Sequence, residues 1–388
     1  MKNNSTGGQK NARKKRKASG HPAARLAAGL VCIAIVGVVT AAIVGMQKPG
    51  GNAVSKFFAS IFSSESIEEE KFSFEAYSDN VFEEMNGGMI VASKSEFQLF
   101  DSSGKLVSNG TMAFGQPAIS VGKDSAVIWN QGGSEAMIIN SENKVTTLDG
   151  KSAIISASMN DGGYCAISSE ESGYKGLVTV YDKSSKAIYK WYSGSGYLMD
   201  AAIAPSNTGM AALTVNENGS RAVAYSLGSE EEQGSCEIED EICFDIDYIA
   251  ENRICAVSAD KAVFVNGKCE YNSEYSFEGM YLRDYSLSGS GFAVFVLGRY
   301  STGGSGSVVS VDSNGNTIGS VEINSDVKSL SVRGKYLAIV YSDRVVLYNS
   351  SLEELGVIED AAGVERALAC ANGKLLAISG YRADEYSF

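Results

Sequence analysis

Seven times along the chain a short β-type run ends in the same small turn. The turns are centred on Asp101, Asn140, Asp182, Ser226, Asn266, Asp312 and Asn349, which stand 39, 42, 44, 40, 46 and 37 residues apart. An Asp, Asn or Ser at this position bonds the backbone two residues on, and a following Gly supplies a positive φ. A period of about 40 residues containing several short strands is the spacing of β-propeller blades. The expected fold is therefore all-β, a closed ring of four-stranded blades.

Each unit opens on an apolar inner strand, predicted at Val81–Asn86, Pro117–Gly122, Ala153–Met159, Leu198–Ala204, Phe244–Ala250, Tyr281–Ser288, Val327–Val332 and Val364–Cys370. A second, strongly apolar strand follows, often ending in Ser, as in Met89-Ile90-Val91-Ala92-Ser93 and Ile254-Cys255-Ala256-Val257-Ser258. Such short continuous apolar runs suit strands buried on both faces. The third strand carries the turn and a more polar fourth strand follows it. Only four prolines in 388 residues fit ladder-rich structure. Eight units are countable, so eight blades are expected, with seven as the alternative. The eighth unit has no fourth strand of its own, whereas the first is preceded by an orphan β-like segment, Phe72–Tyr77. Pairing that segment with Asp384–Phe388 would close the ring and remove the exposed sheet edges.

Charge is divided sharply along the chain. Eight of the 33 basic side chains lie before residue 26, where there is no acid. The other 25 stand against 46 acids, a formal −21. So acidic a domain repels phosphate backbones, which argues against nucleic acid as a partner. Leu26 to Met46 is 21 residues without a charge. As a helix it would span roughly 31 Å, about one hydrocarbon core. The basic run on its N-terminal side predicts a single-pass transmembrane helix with a cytoplasmic N-terminus and an extracytoplasmic C-terminal domain. A cleaved signal peptide would have a shorter apolar region, of about 7–15 residues. Gly37, Ala41 and Gly45 form a small-residue stripe through which two spans could pair as a homodimer. Val54, Phe57, Phe58, Ile61 and Phe62 mark one apolar helix face, and Ser63–Glu70 reads as an acidic hinge. The predicted organisation is a basic tail over 1–25, a membrane span over 26–46, a juxtamembrane amphipathic segment and linker over 47–70, and a propeller over 71–388.

Histidine occurs once, at position 21, in the basic tail. The exported part thus lacks the usual base of Ser-His-Asp and Cys-His nucleophile activation, and the commonest zinc and haem ligand. No cofactor, no metal site and no catalytic residue is predicted. Asp312-Ser313-Asn314-Gly315-Asn316 and Asp101-Ser102-Ser103-Gly104 resemble pieces of calcium loops but lack the distal Glu and a third acidic ligand. Cys165 and Cys255 occupy the same place in their second strands, as small core residues do. Buried thiols are expected overall, Cys236 and Cys243 being the pair placed best for a bridge across an acidic connection.

Candidate binding residues fall into two sets. Charged residues near the starts of inner strands would border the axial channel: Asp200, Asp245, Asp247, Arg283, Asp284, Lys328, Glu365 and Arg366. Long loops between second and third strands, Ser169–Gly176 and Gly298–Ser307, would present Tyr174, Arg299 and Tyr300 on the same face.

Asp182–Trp191, reading Asp-Lys-Ser-Ser-Lys-Ala-Ile-Tyr-Lys-Trp, resembles the Asp…Gly…Trp repeat of pyrroloquinoline-quinone-type propellers, with Ser185-Lys186 where Thr-Gly is usual. Basic tail, single span and acidic repeats together are similar to uncharacterised bacterial membrane proteins with an exported, WD40- or quinoprotein-like propeller, a domain-of-unknown-function family. That resemblance implies a cell-envelope location. The expected function is a non-catalytic binding or scaffolding module for an envelope protein or surface polymer. The alternatives are a carboxylate-dependent glycan-active enzyme using pairs from Asp200, Asp247, Asp284 and Glu365, and a ligand sensor working through a membrane partner.

Overall fold

A computed structural model describes residues 67–388, with side chains from residue 71 onward. The basic tail, the predicted span over 26–46, its small-residue stripe, and the amphipathic segment Val54–Phe62 lie outside the described residues. No helix among the described residues is long and apolar enough to cross a membrane.

The described residues form thirty-two strands in eight four-stranded antiparallel sheets. The inner strands are Val81–Met85, Pro117–Val121, Ile154–Met159, Tyr197–Ile203, Asp245–Ala250, Tyr281–Ser286, Ser329–Arg333 and Arg366–Ala369. All eight overlap their predicted positions, and the eight-bladed propeller is the observed fold. Seven blades are consecutive up-and-down sheets; the eighth takes its fourth strand from the other end of the domain.

The repeated turns share one mechanism. The side-chain Oδ1 of Asp101, Asn140, Asp182, Asn266, Asp312 and Asn349 accepts two backbone N–H groups, two and four residues on, at 2.8–3.1 Å. The residue three places on has a positive φ in all six. It is Gly only at Gly104 and Gly315; elsewhere it is Asn143, Ser185, Cys269 and Leu352. This is a type I turn followed by a left-handed residue, and in five of the six, all but the turn at Asn140, the fourth strand is bulged beside it. The two stretches that resemble calcium loops are thus built on the same backbone bonds to Oδ1 as the other turns. The Ser ending the second strand is equally local: the Ser93 and Ser258 hydroxyls each accept two N–H groups of the next turn and donate to its last carbonyl.

The core is divided among eight apolar clusters, one for each pair of adjacent blades. Second strands such as Gly88–Ala92 and Phe292–Gly298 are buried throughout, because both faces meet a neighbour. Fourth strands such as Ala187–Tyr192 are mostly exposed. Cys165, Cys236, Cys243, Cys255, Cys269 and Cys370 are all buried free thiols. The Cys236–Cys243 bridge is therefore not formed; both sulfurs belong to one apolar cluster with Cys269.

Closure follows the predicted principle with a different register. The closing strand is Ile67–Ser73, antiparallel to Arg382–Ser387, with Ile67 opposite Ser387 and Ser73 opposite Arg382. Ile67–Glu70, read from sequence as the end of a hinge, belongs to this strand. Pairing ends near Phe74, whose N–H bonds the Tyr381 carbonyl at 2.9 Å, and Glu75–Tyr77 turn away. Phe72 is fully buried and meets Phe100 edge-on at 6.0 Å. Lys71 pairs with Glu385, which also holds Lys374 at 2.7 Å.

Phe72→Ala is expected to destabilise the domain by about 3–5 kcal/mol in chemical denaturation. Deleting residues 67–73 is expected to abolish cooperative unfolding. A deletion variant that melts like the parent would contradict the closure.

Candidate functional site

Up-and-down connectivity sorts every connection to one of two ends of the ring. First-to-second and third-to-fourth turns lie at one end, here the turn end. Second-to-third loops and blade-to-blade connections lie at the other, the loop end. Inner strands run from the loop end to the turn end, so residues at their starts and finishes border opposite mouths of the axial channel.

At the loop end the structure brings three predicted residues together. Arg283, Asp284 and Lys328 line a cavity of about 210 Å³ between blades six and seven. Arg283 occupies a bulge between Leu282 and Asp284, and its guanidinium donates to the Gly303 carbonyl at 2.6 Å. Bulges re-aim side chains in this way. Burial raises the Asp284 carboxyl above its ordinary range, against the opposing N–H of Tyr285 and the charge of Arg366. Glu365 and Arg366 are exposed at the start of the eighth inner strand. Arg299 pairs with Glu322 at 2.7 Å, with both side chains more than half exposed.

The same end carries an unusual aromatic surface. Among the described residues fourteen large apolar side chains are exposed. Nine belong to the loop end: Tyr77, Tyr174, Tyr192, Tyr197, Ile242, Phe244, Tyr281, Tyr300 and Tyr381. The other five all lie on outer fourth strands. Tyr174 packs on Tyr192 at 4.7 Å between ring centroids. Beside them the Lys175 ammonium lies 4.2 Å from the centre of the Tyr197 ring and 2.9 Å from its hydroxyl. Phe244 packs on Tyr285 at 5.7 Å. Tyr300 is 68 % exposed.

Asp200 and Asp247 are placed differently from the expectation. Asp200 follows a bulge at Met199 and is buried between blades four and five. Its carboxyl hydrogen-bonds Asp245 and accepts the Ile246 N–H at 3.2 Å. Burial, and then the charge of Asp245, push Asp200 well above the carboxylate range. Asp200 and Asp245 thus share a hydrogen bond inside the wall instead of facing open solvent. Asp247 lies deeper in the channel and lines a cavity at the turn end instead.

Sequence reasoning missed the groups that organise the turn end: Glu83, Glu84, Asp161 and Arg333. Arg333, the last residue of the seventh inner strand, reaches across the channel. Its Nε donates to Glu84 at 3.0 Å, and Nη2 donates to the Gly122 carbonyl at 2.5 Å and lies 3.8 Å from Asp161. Glu84 also accepts the Gly87 N–H at 2.6 Å and is 2 % exposed. Burial raises Glu83 to about 7, against Arg333 and Arg366 and helped by Glu84. Burial, and then Asp245, raise Asp247 to about 7. The available signal was an acidic pair, Glu83-Glu84, inside an otherwise apolar inner strand.

A raised folded-state pKa means that the folded protein holds a proton the unfolded chain gives up. The resulting stability is complete below about pH 4 and is lost as pH rises toward 7. Glu83→Gln is therefore expected to gain about 1–2 kcal/mol relative to the parent between pH 5 and pH 8, in urea unfolding. Partial exposure of Glu83 keeps the gain below the full shift. A stability difference that does not change with pH would contradict the reading.

Comparison with solved structures finds the same ring. BamB from Moraxella catarrhalis matches at TM-score 0.52 and 12 % identity, over 83 % of this chain and 100 % of that one. The C-terminal WD40 domain of Sif2 matches at TM-score 0.57 and 12 % identity, over 82 % and 97 %. The computationally designed Ika8 protein matches at TM-score 0.55 and 11 % identity, over 82 % and 99 %. At such identities the likeness is one of fold. No curated protein matches the sequence. Comparison with known families matches residues 60–354, most of the ring, and by that match the chain belongs to a family of unknown function, DUF5711.

Proposed function

We propose that this protein is a membrane-anchored, non-catalytic docking module whose exported propeller presents its loop end to an envelope protein or surface polymer. The aromatic surface carries the reading. Nine of the fourteen exposed large apolar side chains gather on one end, eight of them aromatic. Aromatic residues on loops held by a rigid scaffold are the usual anchors of macromolecular contacts. The charged cavity of Arg283, Asp284 and Lys328 lies within that surface and supplies polar complementarity. The strongly acidic exported part disfavours nucleic acid. The uncharged 21-residue stretch and its basic flank support the anchor, with residues 1–25 on the cytoplasmic side by the positive-inside rule. Pairing of two spans through Gly37, Ala41 and Gly45 would make the module bivalent.

A photo-crosslinker at Tyr300 is expected to capture a discrete partner in cells that the same crosslinker at Tyr271, on an outer strand, does not. The combined change Tyr174→Ala, Arg299→Ala and Tyr300→Ala is expected to remove the capture without unfolding the ring, since all three side chains are largely solvent-facing. Capture that survives the triple change would contradict the docking surface. Residues 1–25 are expected on the mature protein extracted from membranes; their loss during maturation would contradict the anchor.

A further inference from the structure

The turn end of the channel holds a cavity of about 480 Å³, within the range of small-ligand sites. Its aliphatic lining comes from Val121, Met159, Ile203, Ile249 and Leu287, at or beside the ends of five consecutive inner strands. Charged groups stand among these residues, and acids outnumber bases. Among the described residues Arg333 is the only cation that lines it, and that guanidinium is engaged by Glu84 and the Gly122 carbonyl and lies 3.8 Å from Asp161. Asp161 and Asp247 also line it. Asp247 accepts one N–H, from its neighbour Tyr248 at 2.7 Å, and among the described residues no cation lies within ion-pair distance of it. A carboxyl in a walled cavity without a counter-ion is relieved either by holding a proton or by a cation supplied from outside. Asp245 and Asp161 add to the negative field there.

From this geometry we infer that the turn-end cavity binds an organic cation, an alkylammonium or alkylguanidinium whose charge meets Asp247 and Asp161 and whose stem lies on the aliphatic lining. The aliphatic wall distinguishes this ligand from a metal ion, and among the described residues no group of three or more His, Cys, Asp or Glu is placed to hold one. The connection Leu287–Gly291 forms one lip of the mouth. It is held by the Ser290 N–H to the Gly334 carbonyl and the Gly291 N–H to the Ile249 carbonyl, both at 2.8 Å. Ser290 is exposed on that lip, so the cavity opens away from the loop end and its occupancy is independent of the docking surface above.

Calorimetric titration of the full-length protein with agmatine and n-pentylammonium, and with 1-pentanol as the uncharged control, tests the assignment. Both cations are expected to bind at one site, and pentanol at least about tenfold more weakly. Asp247→Asn is expected to weaken the cations at least about tenfold, whereas Asp343→Asn, an exposed acid at the loop end, leaves them unchanged. Ser290→Phe obstructs the mouth without altering charge and is expected to reduce binding as well, so the proposal stays testable if Asp247→Asn fails to fold. A capped Gly-Lys-Gly tripeptide separates two sources of the same chemistry. Its binding, lost when norleucine replaces lysine, would identify basic side chains of a polypeptide as occupants; its exclusion while agmatine binds would identify a free amine. Absence of cation binding, or binding equal in the parent, Asp247→Asn and Ser290→Phe proteins, would overturn the inference.

Discussion

Everything in this structure depends on the circle being complete. A second strand that is apolar on both faces has no stable place in an isolated blade; it needs a neighbour on each side. Eight clusters between eight blades satisfy that requirement only if the last blade meets the first. The contact is made by Met89, Val91 and Phe100 of the first blade and by Phe72, Leu368, Leu376 and Ile378 of the eighth. The strand that makes it comes from the opposite end of the domain, with Ile67 opposite Ser387. Local sheets form cheaply from adjacent hairpins, whereas this pairing closes a loop of more than 300 residues and carries the largest entropic cost of any contact in the fold. The seam therefore links folding of the ring to the segment that the proposed anchor leads into.

Closure also determines what the channel contains. Inner strands converge on the axis, so polar side chains on them meet across a narrow lumen rather than facing bulk water. Asp200 and Asp245 respond by sharing a hydrogen bond, and Glu84 by holding Arg333 from a blade 249 residues away. Arg333 touches groups of blades one, two and three from its place in blade seven, tying the ring across its axis. Breaking one side of such a buried pair is far more damaging than replacing both, because the other charge is left without compensation. The two mouths differ as a result: the loop end offers aromatic side chains on long connections, and the turn end a half-aliphatic cavity with surplus negative charge.

Much of this was legible in the sequence because it is local. The turns are encoded by one Asp or Asn that bonds backbone two and four residues ahead, and their spacing counts the blades. Alternation of apolar and polar strands located all eight inner strands. The closing strand was displaced by several residues because its first half, Glu68-Glu69-Glu70, reads as a solvated hinge. It is a fourth strand, however, and fourth strands lie at the outer edge of a blade, where charged residues are common. Left-handed turn residues were attributed to Gly, yet Cys269 and Leu352 occupy that conformation with buried side chains, because the apolar cluster beneath rewards them. Arg283, Asp284 and Lys328 converge as their places in neighbouring inner strands suggest. Asp247, Glu83 and Arg333 were misplaced or missed because their surroundings come from blades across the channel, and no local pattern reports a partner that distant.

Hydrogen–deuterium exchange along the seam tests the central claim most directly. If the ring is one cooperative unit, amides of Ile67–Ser73 and Arg382–Ser387 should be protected as strongly as those of the fully buried second strands and should exchange only with global unfolding. Rapid exchange at the seam while the other seven sheets stay protected would mean that the circle is open, and would contradict the account.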